Sequence, residues 1–195
     1  MKEWREKTYK SIKRRAKRLK ATIYWEDETT VKSADVRGRG YAPRGKTPAV
    51  RGIKLKENIS MASAINNQGK VMWKIYEGSV NSEKFIEFME QLIKYRKKKI
   101  FLIADEASAH KSNKTKDRLE GRKERTELYY LPPYSPDLNP DEHTNADLKY
   151  GVGSKHPKRD KESLRKAAEE HMMTLEKSPK RIKKYFRDPA IRYAA

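Results

Sequence analysis

Apolar positions change period along the chain, and each change marks an element. In residues 1–20, Ile12, Ala16 and Leu19 recur at helical spacing among ten Lys/Arg and two Glu, which predicts a basic amphipathic helix. From Ala21 the period shortens. Ile23-Tyr24-Trp25 predicts a short buried strand, closed by Glu26-Asp27-Glu28 at its C-terminal end. Ile59–Ile65 and Val71–Tyr76 read as two further strands, joined by a hairpin turn at Asn66-Asn67-Gln68-Gly69. Asn81 or Ser82 caps a helix over 82–97 with an apolar face of Phe85, Phe88, Met89, Leu92 and Tyr95. Lys94 and Arg96–Lys99 load its C-terminal end with cations that complement the helix dipole.

Ile100–Ala104 is the most continuous apolar run, the pattern of a strand covered on both faces, and it ends at Asp105-Glu106. A basic helix follows over 112–123, then a short strand at Leu128–Leu131. Pro132-Pro133-Tyr134-Ser135-Pro136-Asp137 is a rigid turn. Asn139 caps the next helix, with Pro140 at its first position, running to about Tyr150. Gly151-Val152-Gly153 is expected to break that helix. Asp160 caps a last long one with Leu164, Ala167, Ala168, His171, Met172 and Leu175 facing inward. Strands alternating with helices, with no repeat and no long low-complexity linker, predict one α/β domain of mixed strands ending in helices.

Composition narrows the chemistry. Across 195 residues, 47 Lys+Arg stand against 27 Asp+Glu, a formal charge of +20, which points first to a nucleic-acid partner. Hydrophobic residues make up 35%, a low share, but the Val/Ile-rich runs and eleven Tyr suffice for one core. The absence of Cys excludes a disulfide scaffold, a thiolate nucleophile and a Cys-based zinc site. No apolar run approaches the ~18 residues of a membrane span, and no signal-peptide core follows Met1, so the expected compartment is cytosolic, without a membrane partner.

Three acids stand where a fold can gather them. Asp27 follows the first strand, Asp105 follows the apolar strand, and Glu142 opens the helix after the proline-rich turn. In open α/β sheets, sites form at strand ends. Three carboxylates in one cleft repel each other unless a cation neutralises them. Hard oxygen donors suit Mg²⁺ or Mn²⁺, and two such ions ~3.5–4 Å apart can activate water and stabilise a leaving oxygen in phosphodiester cleavage. Each acid also has a plainer reading: Asp27 as part of a solvated strand end, Asp105-Glu106 as a simple strand terminus, and Glu142 as the reciprocating acid of an Asn139 cap.

Leu131-Pro-Pro-Tyr-Ser-Pro-Asp-Leu-Asn-Pro-Asp-Glu142 resembles the signature around the third acid of DDE-type transposases, and more narrowly the bacterial insertion-sequence branch of the mariner superfamily. Tyr24-Trp-Glu-Asp-Glu28 resembles the first-acid segment, Gly40-Tyr-Ala-Pro-Arg-Gly-Lys-Thr-Pro48 the loop after it, and Asp105-Glu-Ala-Ser-Ala-His-Lys111 the second-acid motif. The 36 residues between Asp105 and Glu142 are close to the family's mid-thirties spacing. The resemblance runs from about Ala21 to Ala195. It implies an RNase H-like fold, a five-stranded mixed sheet with helices on both faces, covering residues 21–195 behind a basic helical lead-in at 1–20. It implies DNA cleavage and strand transfer with two divalent metals, Mg²⁺ or Mn²⁺, held by Asp27, Asp105 and Glu142. His110 would be a nearby DNA-contacting or site-shaping residue. Partners would be double-stranded transposon and target DNA and a second copy of the chain in the active complex, with nucleoid association.

The sequence departs from the family at three places. Glu106 stands where many relatives carry an uncharged residue, and Asn145 where Trp is common. The paired helix-turn-helix modules that usually precede the first acid do not precede it here, so the chain reads as a catalytic half. Arg37, Arg39, Arg44, Lys46 and Arg51, in the Gly/Pro-punctuated loop at 37–52, read as DNA-backbone contacts, as does Lys111, or else as an exposed charged hairpin. The lead-in helix and the basic run 111–125 are open between DNA contact and plain solvation, while Trp25 and Trp73 read as core. Lys180–Lys184 and Arg187 form a basic C-terminal segment suited to DNA or a partner subunit. A non-catalytic DNA-binding fragment that regulates a longer transposase is the rival reading, and a nuclease acting on RNA–DNA hybrids a third.

Overall fold

The strand expected at Ile23–Trp25 is the start of a much longer one. In the computed structural model, which describes residues 1–33, 43–46, 57–153 and 160–195, β1 runs over Thr22–Lys32. Glu26, Asp27 and Glu28 therefore lie inside the strand and not at its end. Pairing is the reason: Trp25 through Lys32 form an antiparallel ladder with β2 (Asn58–Ile65), whereas only Thr22 through Trp25 pair with the parallel β4 (Ile100–Ala104). Cross-strand partners override the low strand propensity of the acids.

Among the described residues the sheet has five strands in the order β3-β2-β1-β4-β5, with β3 at Val71–Tyr76 and β5 at Thr126–Tyr130. The β1-β2 and β2-β3 pairs are antiparallel, and the β1-β4 and β4-β5 pairs parallel, giving the expected mixed sheet. Every residue of β4 is buried. At the β2-β3 hairpin, Asn66 Oδ1 accepts from the backbone N–H of Gln68 and Lys70, and Gly69 takes a φ of 84°, open to glycine at little cost.

Alternation along the strands feeds two cores. Tyr24, Ala64 and Leu102 face one cluster with α2 (Ser82–Tyr95), while Trp25, Ile65, Phe101 and Ile103 face another. Asn81 caps α2 by accepting from Lys84 N–H. Tyr95, expected on its apolar face, is exposed instead, because the helix ends there and Arg96 is extended. The basic helix expected over 112–123 resolves into α3 (Ser108–Lys111) and α4 (Asn113–Glu120), the second capped by Ser112.

The second cluster is covered by α1 (Lys10–Arg18), α5 (Glu142–Gly153), α6 (Lys161–Glu176) and α7 (Pro179–Tyr185). The lead-in is more deeply packed than its Ile12–Ala16–Leu19 stripe implies. A π-helical stretch, Trp4–Tyr9, continues into α1, and Trp4 and Tyr9 are buried against Trp25 and Tyr193 with ring centroids 5.0–6.0 Å apart. Leu19, by contrast, is exposed. Gly151-Val152-Gly153 does not break α5. A Cβ at position 151 would lie 2.1 Å from His171 Nδ1, so glycine serves here to let α5 and α6 approach. Asp160 caps α6 reciprocally with Ser163, and of the expected inward set only His171 stays half-buried. Among the described residues no helix is long and apolar enough to cross a membrane.

Candidate active site

The last parallel pair between β1 and β4 is Trp25 with Ile103, so Asp27, inside β1, and Asp105, just past the end of β4, each stand two residues beyond it. Glu142 reaches them from the first turn of α5. The turn that delivers it is pinned to β1: Asn139 Nδ2 donates to the Glu26 carbonyl at 2.8 Å, and Asn139 Oδ1 accepts from Asp141 N–H at 3.1 Å. The expected start is displaced: α5 begins at Glu142 and not at Pro140, and Asn139 closes the turn ahead of it through the Asp141 N–H, while Glu142 lines the cleft. Asp27, Asp105 and Glu142 line one cleft of about 370 Å³, walled by the Leu131–Pro136 turn. Tyr134 stands wholly exposed on this turn, with a φ of 53°.

The cleft is crowded with negative charge. Burial first, then the charges of Glu142, Asp141, Glu28 and Asp105, push the Asp27 carboxyl well above its usual range. Asn145 Nδ2 donates to Asp27 Oδ2 at 2.8 Å, so the family departure at position 145 holds the first acid in place. Ser63, the cross-strand partner of Asp27, donates to Asp141 Oδ2 at 2.7 Å. Burial raises the Asp141 carboxyl to about 7 despite that bond. Asp105 differs: His110 and the Ala107 N–H both serve its Oδ1, and the His110 bond leads in holding its carboxyl below the usual range. Repelling hard oxygens of this kind fit a divalent cation, which removes the repulsion.

On the other side of β1, Glu26 and Glu28 meet His110. Its Nε2 is 3.0 Å from Glu28 Oε1 and 3.5 Å from Glu26 Oε2. Burial opposes a charge on the imidazole, but Glu26, Asp105 and Glu28 outweigh it and push its pKa up to about 12. Burial, reinforced by Glu28, raises the Glu26 carboxyl well above normal. The plain reading of these acids as a solvated strand end fails for Glu26, which is fully buried. Period-two alternation extended past Trp25 was the signal that separates Asp27 from its neighbours.

His110 is also fully buried, with Nδ1 against the Asp105 carbonyl and Nε2 against Glu28. Lys111 is exposed beside the site and pairs with Glu106 at 2.8 Å. That pairing bears on the departure at position 106, because Glu106 borders the cleft with a cation of its own. Arg44 and Lys46 are exposed, whereas Arg37, Arg39 and Arg51 lie outside the described residues.

A family model described as DDE superfamily endonuclease matches residues 22–165. No curated protein matches the chain by sequence. Among solved structures, the Mos1 mariner paired-end complex with Mn superposes with a TM-score of 0.68 at 18% identity, covering 99% of this chain and 62% of that one. The Mos1 strand transfer complex gives 0.65 at 20% identity, with 99% and 61% covered. The catalytic domain of Mos1 transposase alone gives 0.58 at 18%, with 97% and 93% covered. The chain therefore spans about three fifths of the Mos1 chains in the DNA complexes and nearly all of the isolated catalytic domain, and the likeness is one of fold, RNase H-like as expected.

Proposed function

The chain belongs to the DDE superfamily of endonucleases, and from that premise we propose that it is the catalytic part of a cut-and-paste transposase, cutting DNA at an element end and joining the freed strand to target DNA. The observation that carries this reading is the convergence of Asp27, Asp105 and Glu142 on one cleft, close enough that the last two raise the pKa of the first. These acids would hold one or two Mg²⁺ or Mn²⁺ ions, which when bound supply Lewis-acid activation of the attacking oxygen and stabilisation of the leaving one. Mos1 is similar in fold and was solved in complexes with Mg and with Mn, which supports the choice of ion.

The chain's own residues orient and position. Asn145 fixes Asp27, the Ala107 N–H and His110 fix Asp105, and the Asn139 clamp to β1 sets Glu142 beside them. Water attacks the phosphorus, the bond to the 3′ oxygen breaks, and a 3′-hydroxyl is left. That hydroxyl then attacks a target phosphorus in the same cleft, the target's own bond from phosphorus to its 3′ oxygen breaks, and a target 3′-hydroxyl leaves as the strands are joined. No side chain becomes covalently attached to DNA. Arg44, Lys46 and Lys111, with Arg37, Arg39 and Arg51, supply phosphate contacts, and two copies of the chain would bring two DNA ends together.

The test is cleavage of short duplex DNA by the full chain in Mg²⁺ or Mn²⁺, beside Asp27→Asn, Asp105→Asn and Glu142→Gln and with EDTA as control. Cleavage should be abolished by each substitution and by EDTA, while DNA binding persists and weakens steeply with salt. Cleavage indifferent to all three substitutions would sink the assignment. Salt-sensitive binding without cleavage by the wild type would favour the regulatory reading instead.

A further inference from the structure

β1 carries a second polar cluster on the face opposite Asp27. Asp27 meets Asn145 of α5, while Glu26 and Glu28 point to the α2 side and meet His110. One donor atom from each of Glu26, Glu28 and His110 lies within 4.8 Å of the others. Glu26 is fully buried, and neither of its carboxylate oxygens has a hydrogen-bond partner. Its surroundings offer little help. Phe85 packs on the His110 ring with centroids 4.3 Å apart, and the Tyr76 hydroxyl is committed to the Lys84 carbonyl. The nearest positive group is the His110 ring, with Nε2 3.5 Å from Glu26 Oε2, and a buried carboxylate held only at that distance has room for a closer cation.

We infer that Glu26, Glu28 and His110 form a binding site for a divalent transition-metal cation, distinct from the site made by the three cleft acids. This goes beyond the proposed cleavage activity and does not depend on it. The imidazole is already oriented as a ligand. Its Nδ1 stands 2.9 Å from Asp105 Oδ1 and 3.0 Å from the Asp105 carbonyl, leaving Nε2 directed at the glutamates. Metal-ligating histidines are held by such an outer hydrogen bond to a carboxylate or carbonyl.

Spacing and charge agree. Donor atoms around a tetrahedral ion with bonds of ~2.1 Å stand roughly 3.4 Å apart. The Nε2 distances of 3.0 and 3.5 Å bracket that separation. Taking the place of the Nε2 proton, a 2+ ion is balanced by the two carboxylates and gives the buried Glu26 oxygens an electrophile. A proton on Nε2 brings only one positive charge and leaves Glu26 without a hydrogen bond. One imidazole with two carboxylates favours Zn²⁺ or Mn²⁺ over Mg²⁺. Glu28, whose side chain is 20% exposed, provides the route in. An ion here would also anchor His110, and through it the orientation of Asp105.

The experiment uses the metal-stripped full chain with Mn²⁺ as probe and pulsed EPR as readout. Asp27→Asn combined with Glu142→Gln removes two of the three cleft acids. This double variant should still bind one Mn²⁺ per chain, with imidazole ¹⁴N coupling, displaced by Zn²⁺ but not by equal Mg²⁺. Adding Glu26→Gln, or separately Glu28→Gln, should weaken that binding at least ~10-fold and remove the ¹⁴N coupling. Far-UV circular dichroism on each variant confirms that it is folded, and either glutamate variant suffices if the other is not. A double variant without ¹⁴N coupling would mean that the cluster holds only a proton, and coupling that survives both glutamate substitutions would place the ion at another histidine. Either result overturns the inference. DNA cleavage is not read here, so such a failure leaves the cleft reading intact.

Discussion

Gly151→Ala should destabilise the protein, although the ordinary expectation has the opposite sign. Replacing glycine by alanine inside a helix usually stabilises by about 1 kcal/mol. At position 151 the new methyl would lie 2.1 Å from Nδ1 and 2.2 Å from Cε1 of His171. The ring is not free to swing away, because its Nε2 is 3.1 Å from Asp147 Oδ1. Asp147 also receives Arg181 and the Tyr185 hydroxyl, which fixes the carboxylate in turn. Overpacking costs about 1–3 kcal/mol, and losing a hydrogen bond to a charged group about 1.5–3 kcal/mol. Set against the helix gain, the net is a loss of about 1.5–5 kcal/mol. Urea unfolding followed by circular dichroism measures it as a lower midpoint at unchanged m-value. The cycle with His171→Ala isolates the cause, since without the ring Gly151→Ala should be neutral or stabilising by up to about 1 kcal/mol. A Gly151→Ala protein as stable as the wild type, or an equal loss in both backgrounds, would refute the reasoning.

Three further outcomes are expected. Trp4→Ala removes a ring packed on Tyr9, Trp25 and Tyr193 and a hydrogen bond to the Tyr130 carbonyl, and should cost about 3–5 kcal/mol in thermal or urea unfolding; a loss under about 1 kcal/mol would show that the lead-in is not part of the core. Burial pushes the Asp147 carboxyl up, but hydrogen bonds from His171, Tyr185 and Arg181 outweigh it and hold the pKa below normal. The stability it contributes is therefore full above the ordinary carboxylate pKa of about 3.9 and lost as pH falls through the depressed value, so Asp147→Asn should flatten the acid limb of a stability–pH curve. Asn145→Ala frees Asp27 Oδ2 and should lower DNA cleavage about 10–100-fold with DNA affinity unchanged, measured on the same duplex; unaltered cleavage would remove Asn145 from the site.

Much of the architecture was legible in the chain because its signals are local. Asn81 and Asp160 cap helices where their positions ahead of apolar periodicity say they should, and Asn66 and Gly69 close the β2-β3 hairpin. Ile100–Ala104 is buried throughout, as its unbroken apolar run implies. These features depend on free energies set within a few residues, so a window of sequence carries them. The three acids were also legible as candidates, because each follows a short apolar run or a proline-rich turn in the chain.

The rest depends on partners distant in the chain. Glu26-Asp27-Glu28 looks like a polar strand end until the ladder with β2 extends β1 to Lys32. That register alone sends Asp27 to the α5 face and buries Glu26 beside His110, 84 residues away. The Gly151 pattern is the same for a helix break and for a close helix crossing, and only the position of His171 decides between them. Trp4 and Tyr9 carry no short-range sign that Trp25 and Tyr193 will receive them. A one-residue shift in strand register exchanges the two faces of a sheet, and a glycine in a helix takes its meaning from what packs against it. Neither is encoded in any local window; both are decided by which long-range contacts the folded chain satisfies together.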